Sequence, residues 1–173
     1  MFWSREEKCD VKYRIVKMEI HRDEIELERY LGVWYQFAST PQSYEPRGSY
    51  NITATYARDG NGKVTILNEL RYRGRTRAIT GELIPTNTNG VFKVRLDRVF
   101  LWFSITAPYI VDWVIVDDKG DYVVAIVVNN DNNLYVLSRD KVLSCELQDM
   151  VRIRLGEKYW QKLDFTPQLC ESN

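Results

Sequence analysis

The residues of this chain best suited to nucleophilic or metal chemistry are three cysteines and one histidine. Cys9, Cys145 and Cys170 are far apart in the sequence, and no Cys-x-x-Cys pair or other zinc-ligand spacing occurs. A nucleophilic thiol needs a neighbouring base, and the only histidine, His21, lies in a polar leader segment. An axial haem ligand would likewise need a histidine in the core. The sequence therefore predicts no metal site, no cofactor and no catalytic activity.

The cysteine positions leave two redox states open. In an oxidising compartment Cys9 and Cys170, near opposite ends of the chain, could form a disulfide and leave Cys145 free. In a reducing compartment all three would remain thiols. Residues 1–30 lack the apolar run of a signal peptide, and no apolar stretch approaches the ~20 residues of a membrane span. We therefore expect a soluble chain without an anchor.

Charge and size exclude other classes. The 24 basic and 24 acidic residues give a net charge of zero, without the basic excess of a nucleic-acid-binding protein. A length of 173 residues fits one domain with a substantial core. Aromatic residues make up 13% of the chain, and such bulky rings favour strands.

Short apolar alternations separated by turn residues predict an all-β protein. Asp59-Gly60 and Asn89-Gly90 are typical of tight hairpins, because Asn, Asp and Gly tolerate positive φ. Eight strands at this spacing indicate an antiparallel meander, closed as a barrel or paired as a sandwich. The predicted strands are 33–40, 50–58, 64–72, 77–85, 92–97, 113–117, 122–129 and 134–138.

One segment has helical rather than strand periodicity. Residues 144–155 place Leu147, Met150, Val151 and Leu155 on one face, with Ser144 as N-cap and Gly156 after the last turn. A short strand is predicted within 160–165. A helix after eight strands favours a barrel with that helix packed on its outer wall.

We predict three regions: a polar arm at 1–29, the barrel and helix at 30–168, and a tail at 169–173. The arm alternates loosely from Val11 to Ile20. It could add an edge strand, pair with a second copy to form a homodimer, clasp a partner, or wrap the base of the barrel.

Three motifs in order give the chain a family resemblance. Residues 29–35 (Arg-Tyr-Leu-Gly-Val-Trp-Tyr) match the Gly-x-Trp signature of the lipocalins, 120–122 (Gly-Asp-Tyr) match the turn between the family's sixth and seventh strands, and 137–139 (Leu-Ser-Arg) match the end of its eighth strand. The chain most resembles the branch that includes apolipoprotein D and the bacterial outer-membrane lipocalins. Segments 51–56, 61–68 and 107–109 carry that resemblance.

The resemblance implies a fold and structural roles for the motif residues. It implies an eight-stranded antiparallel up-and-down β-barrel with one C-terminal helix packed outside. Gly32 would allow the tight turn at the closed end, Trp34 would fill the barrel floor, and Arg139 would lie over the Trp34 ring. Asp121 and Tyr122 would form the turn between two strands. A secreted or envelope location is the family expectation.

The resemblance also implies a small hydrophobic ligand inside the barrel, such as a fatty acid, lysophospholipid or sterol-like lipid. Strand alternation starting from an inward Trp34 places no lysine or arginine in the interior, which favours a headgroup left at the mouth. Trp102 and Phe103 would either border the mouth as an apolar rim or cap an edge of the core as an aromatic pair. The predicted ligand-binding residues are Ala38, Ala54, Tyr56, Ile66, Asn68, Phe92, Val94, Trp113, Val128 and Tyr135.

Another function stays open at this point. A barrel of eight strands is just wide enough either to hold a small ligand or to be filled by its own side chains. A filled barrel would make the protein a structural or protein-interaction module. A peripheral encounter with a membrane is a further expectation for a lipid carrier.

Overall fold

The structure is a computed structural model that describes residues 18–42, 44–97, 105–129 and 133–169. Within these ranges eight strands, β2 to β9, form a closed antiparallel barrel, each strand pairing with the next and β9 pairing back with β2. The predicted barrel is therefore confirmed. The strands are β2 (Gly32–Ser39), β3 (Tyr50–Arg58), β4 (Val64–Tyr72), β5 (Arg75–Pro85), β6 (Val91–Leu96), β7 (Ile105–Val116), β8 (Tyr122–Val128) and β9 (Leu134–Ser138).

Shorter elements flank the barrel. Strand β1 (Met18–His21) pairs with the end of β7, which is the added strand that the sequence allowed as one role of the arm. A 3-10 turn (Arg22–Glu24) and helix α1 (Leu27–Tyr30) lead into β2. After β9 come α2 (Cys145–Leu155), α3 (Glu157–Trp160) and β10 (Asp164–Phe165), which pairs with β2.

The predicted helix has the predicted ends. The Ser144 Oγ accepts a hydrogen bond of 3.3 Å from the Leu147 backbone N–H, which satisfies one of the unpaired donors of the first turn. Gly156 follows the last turn with φ of 73°, a conformation that favours glycine. Leu147 and Val151 are buried against the outside of the barrel.

The apolar side chains form two cores on opposite faces of the barrel wall. The inner core fills the closed end of the lumen, and its largest fully buried members are Trp34, Tyr30 and Tyr122. The outer core lies between the barrel and α2, where Trp113 and Ile115 meet Leu147.

This division corrects three predicted ligand-binding residues. Ala38, Trp113 and Val128 belong to the outer core, so the expectation that they line the lumen is wrong. Two register shifts cause most of the error, since each shift reverses the inward and outward faces of a strand.

The shifts lie in β2 and β7. The β2–β9 register changes between Gln36 and Ala38, so Ala38 no longer shares the inward face on which Trp34 lies. The β7–β8 register changes between Val111 and Trp113, which turns Trp113 outward. Its cross-strand partner Ile126 and the following Val128 share that outer face.

Strand β7 begins eight residues before the predicted start at Trp113, at Ile105. Pro108 in this segment argues against a strand, because it cannot donate a ladder hydrogen bond. The structure accommodates it because Pro108 lies where β7 pairs with β6, whereas pairing with β8 begins at Ile110. A proline is tolerated where one side of its strand is not paired.

Arg139 closes the lower end of the barrel. Its guanidinium carbon lies 3.8 Å from the centroid of the Trp34 ring, which confirms the expected cation–π contact. The Nη2 atom donates to the carbonyls of Arg29 (3.0 Å) and Leu31 (2.7 Å), and Nη1 donates to that of Val33 (2.8 Å).

Gly32 is required beside this guanidinium for two reasons. Its φ of 101° disfavours any side chain, and a Cβ there would lie 3.2 Å from Arg139 Nη1. Trp34 is completely buried and donates from Nε1 to the Tyr30 carbonyl at 2.8 Å. Gly32, Trp34 and Arg139 therefore form one connected group that closes this end of the barrel.

The C-terminal segment seals a seam between β2 and β3. These strands pair with each other only over Gly32 to Tyr35 and Thr53 to Tyr56. Beyond this stretch the Gln168 side-chain amide donates to the backbone carbonyls of Gln36 (3.0 Å) and Ile52 (3.1 Å). The Gln168 side chain thus supplies hydrogen bonds that neighbouring strands would otherwise supply.

Cys145 is in a disulfide, so the expectation that left it free is wrong, as is the alternative of three thiols. It is exposed at the start of α2. Cys9, Cys170, Trp102 and Phe103 lie outside the described residues.

Replacing Arg139 by lysine should destabilise the fold. A lysine ammonium cannot reach several carbonyls at once while lying over Trp34, so buried carbonyls lose their donors. We expect the free energy of unfolding to fall by about 2–4 kcal/mol in urea denaturation. Arg95→Lys is the matched control, because Arg95 forms a half-exposed pair with Glu82 and should change stability by less than ~1 kcal/mol. Equal losses in both variants would contradict the role of Arg139.

The disulfide predicts a thiol count. Unfolded protein that has never been reduced should react with a thiol reagent at one cysteine, and reduced protein at all three cysteines of the chain. Peptide mapping by mass spectrometry should find Cys145 protected in the unreduced sample. Labelling of Cys145 before reduction would show that the bond does not form.

Candidate functional site

Seven of the ten predicted ligand-binding residues lie on the inner face of the barrel. Tyr56, Ile66 and Phe92 are in the buried inner core, and Ala54, Val94 and Tyr135 are partly buried against it. Asn68 lies opposite Ala54 in the β3–β4 register and so shares the inward face. The structure thus brings these residues together around one lumen.

The lumen is packed at one end and open at the other. Around Trp34 the inner core is fully buried, whereas several inward-facing residues of the middle and upper lumen remain partly accessible. Ile79, two residues from Gly81 and four from Leu83 on the inward face of β5, is 41% exposed. Ile79 lies in the part of β5 that extends beyond its pairing with β6, at the open end of the lumen. The partly accessible residues are Ala54, Asn68, Val94, Tyr109 and Tyr135.

Three tyrosines form the floor of this open space. The Tyr109 hydroxyl lies 2.6 Å from the hydroxyls of both Tyr30 and Tyr56. The Tyr30 ring stacks on Trp34, with centroids 5.0 Å apart. Burial raises the pKa of all three hydroxyls, that of Tyr56 to about 12. The floor is therefore a neutral hydrogen-bonding surface at physiological pH.

Two further polar groups border the lumen above this floor. Burial raises the pKa of the Tyr135 hydroxyl to about 12, and this hydroxyl forms a hydrogen bond with that of Tyr44. Among the described residues nothing forms a hydrogen bond with the Asn68 side-chain amide. Asn68 thus offers both a donor and an acceptor to a ligand.

Glu45 is the centre of a polar cluster at the open end of β2. Its Oε2 accepts hydrogen bonds from the Gln36 amide (3.0 Å) and from the Ser39 hydroxyl (3.5 Å). Burial raises the pKa of the Glu45 carboxyl, and the negative charge of Asp164 raises it further, while the two hydrogen bonds act in the opposite direction.

One inward-facing group corrects the prediction that the interior has no cation. The β4–β5 register is continuous, and it places Arg77 on the same face as Ile79, Gly81 and Leu83. Leu83 belongs to the inner core, so Arg77 faces inward at the mouth.

A separate groove of about 250 Å³ lies outside the barrel, beside α2. Val128, predicted to bind ligand, lines this groove and not the lumen. The Arg154 guanidinium crosses it to Asp112 at 3.4 Å, and Asp112 also pairs with Arg22 at 2.9 Å.

Among the described residues, no group of three or more histidine, cysteine, aspartate or glutamate side chains has the geometry of a metal site. No helix in the part of the chain that the structure describes combines the length and apolar character that a bilayer crossing needs.

Sequence reasoning missed Tyr30, Tyr109 and Glu45. Tyr109 precedes the predicted start of its strand at Trp113, so the predicted inner face does not include it. Tyr30 was assigned only to the signature motif, and Glu45 lies in the loop between β2 and β3. The partial signal for Tyr109 was its place in the segment 107–109, which carried part of the family resemblance.

A meander barrel plugged at one end, with an apolar lumen open at the other, defines the class of barrel that holds small hydrophobic molecules. The model of the Lipocalin-like domain matches residues 25–168 of the chain. The chain belongs to the lipocalin family.

Individual relatives support the same assignment. The chain is 34% identical to apolipoprotein D of Bos taurus over 122 residues, 70% of this chain and 60% of that protein. It is 29% identical to temperature-induced lipocalin-1 of Arabidopsis thaliana over 152 residues, 83% and 80% of the two chains. Outer membrane lipoprotein Blc of Vibrio cholerae is 30% identical over 122 residues, 67% and 66% of the two chains.

Solved structures share the fold at low sequence identity. Insecticyanin from the tobacco hornworm Manduca sexta superposes with a TM-score of 0.63 at 18% identity, over 92% of this chain and 87% of that chain. The cockroach allergen Per a 4 gives 0.60 at 16% identity, over 94% and 96%.

The Glu45 environment predicts a pH dependence of stability. Because its pKa is raised in the folded protein, the native state takes up a proton more readily than the unfolded chain. The free energy of unfolding should therefore decline as the pH rises from the usual range of a glutamate carboxyl through the folded pKa. Glu45→Gln, which retains an acceptor for Gln36, should lack this decline in urea denaturation between about pH 4 and about pH 8.

The matched control is Glu24→Gln at an exposed position of the 3-10 turn, which should follow the wild-type profile. A Glu45→Gln profile identical to wild type would show that the carboxyl is not desolvated as described.

Proposed function

We propose that this lipocalin binds and carries a small hydrophobic ligand in its lumen, with a fatty acid, a lysophospholipid or a sterol-like lipid as the ligand class. The observation that carries the proposal is the set of inward-facing residues that remain partly accessible above the packed floor, from Ala54 and Val94 up to Ile79. Apolar side chains that face inward and yet touch solvent define space that a lipid chain would fill.

The energetics of such a ligand are favourable. Each methylene removed from water contributes about 0.8 kcal/mol. Burial of roughly ten methylenes would offset the cost of association and give about micromolar affinity. The Asn68 amide and the Tyr135 hydroxyl would each orient one polar group of the ligand, because a buried polar group needs a hydrogen-bond partner.

Binding rather than catalysis fits the groups that line the lumen. The tyrosine hydroxyls of the floor have raised pKa values, so they are poor bases and poor nucleophiles at neutral pH. Cys145 lies outside the barrel and is in a disulfide, so it offers no thiolate to the lumen.

We further propose a secreted or otherwise oxidising location, and the disulfide at Cys145 supports it. A peripheral membrane encounter and a homodimer through the N-terminal arm stay predictions. A filled barrel serving as an interaction module is the competing function, and the experiment below separates it from the carrier.

Filling the lumen should abolish ligand binding. Ala54→Trp places an indole on the inner face of β3 at a partly accessible position, where it would occupy the space for a lipid chain. We expect titration with a fluorescent fatty-acid probe to show saturable binding to wild type and a loss of at least about tenfold in affinity for the variant, since tenfold is 1.4 kcal/mol. Ala57→Trp makes the same change at an exposed site of the same strand and should bind as wild type does.

A wild-type protein that binds no probe up to high micromolar concentration, or equal binding by Ala54→Trp, would favour the filled barrel.

A further inference from the structure

The hairpin of β4 and β5 carries an unusual concentration of positive charge at the mouth. Arg71, Arg73, Arg75 and Arg77 fall within seven residues of a chain whose net charge is zero. The hairpin joins the open ends of its two strands, because β4 starts at Val64 in the packed inner core and runs away from it.

Two of these arginines face inward. The β4–β5 pairing is continuous from Val64 opposite Leu83 to Tyr72 opposite Arg75, without a register shift. Alternate residues of β5 therefore keep one face, so Arg75 and Arg77 share the side of the inner-core residue Leu83. The Arg77 guanidinium carbon lies 5.4 Å from the centroid of the Tyr72 ring, as expected for side chains on the same face.

These cations lack anionic partners in the part of the chain that the structure describes. The ion pairs there join other residues, and neither Arg75 nor Arg77 takes part in one. By contrast Arg95, on the outer face next to β5, pairs with Glu82. The Arg75 and Arg77 guanidinium groups are therefore available to bind an external anion.

We infer that Arg75 and Arg77 bind the anionic headgroup of an amphiphile, a carboxylate or a phosphate, while its hydrocarbon tail occupies the lumen. A guanidinium matches both anions, because its planar fork donates two parallel hydrogen bonds. The inference rests on the proposed lipid binding and specifies its ligand class.

The wall beneath these arginines suits a tail. Leu70 lies opposite Arg77 and Ile79 is the next residue below it on the inward face of the β4–β5 pair, so an apolar surface leads from the headgroup site into the lumen. The floor would not favour the opposite orientation, because its neutral tyrosines cannot compensate a buried anion. Glu45, in the loop after β2, would repel an anion from that part of the mouth.

The test compares ligands that share a tail and differ in headgroup. Dodecanoate, dodecyl phosphate and dodecanol are measured by displacement of an uncharged fluorescent probe from the full chain, at low salt and neutral pH. Wild type should prefer both anions over the alcohol. In the double variant Arg75→Gln/Arg77→Gln, anion affinity should fall about tenfold while dodecanol affinity stays unchanged, as expected for two exposed ion pairs.

Two controls separate a local site from general charge. Lys93→Gln/Lys119→Gln removes the same charge from exposed positions on β6 and on the β7–β8 turn at the closed end, and should retain the wild-type preference. Arg75→Lys/Arg77→Lys retains the positive charge and should keep most of the wild-type preference for anionic ligands. Added salt should reduce the wild-type preference and leave dodecanol binding unaltered.

Three results would overturn the inference. An unchanged preference in the double glutamine variant would place the headgroup elsewhere while leaving lumen binding intact. An equal loss in the lysine control variant would assign the effect to net charge. Failure of wild type to bind even dodecanol would defeat the proposed function itself, and the headgroup site with it.

Discussion

The closed end of the barrel is held by one cation that several backbone carbonyls share. The carbonyls of Arg29, Leu31 and Val33 converge where the chain turns from α1 into β2, and the Arg139 guanidinium donates to all three. Burial lowers the pKa of that guanidinium, because burial disfavours a charged group. The three carbonyls and the face of the Trp34 ring stabilise the charge in this position. The floor above it, including the Tyr30 hydroxyl, depends on this closure.

The barrel wall has two different kinds of surface. Beneath α2 the strands β7 and β8 are apolar on both faces, with Val114 and Ala125 inside and Trp113 and Ile126 outside. Such a wall would expose a large apolar patch without the helix, so α2 covers it. Elsewhere, as on β4 and β5, apolar residues face the lumen and polar residues face solvent. The tip of the β4–β5 hairpin extends beyond the pairing of β5 with β6 into solvent.

Much of the fold could be predicted from sequence because strand period, turn residues and helix caps all indicate the same elements. The lumen was predicted correctly wherever alternation runs unbroken, as for Tyr56, Ile66 and Val94. The prediction from alternation is wrong at Ala38 and Trp113, because a single extra residue in a strand cannot be recognised from the apolar pattern of that strand. Arg77 could have been found, since it has the parity of Ile79 and Leu83.

The seam between β2 and β3 has a consequence for the order in which the molecule can be assembled. The two strands are among the first parts of the barrel to leave the ribosome, whereas the Gln168 amide that joins Gln36 to Ile52 is synthesised after all eight barrel strands. Until then both carbonyls must be hydrated, and the wall has a slit beside its first strand. The wall of the barrel is therefore completed only after Gln168 has been synthesised, and a ligand taken up earlier would enter a barrel that is open at its side.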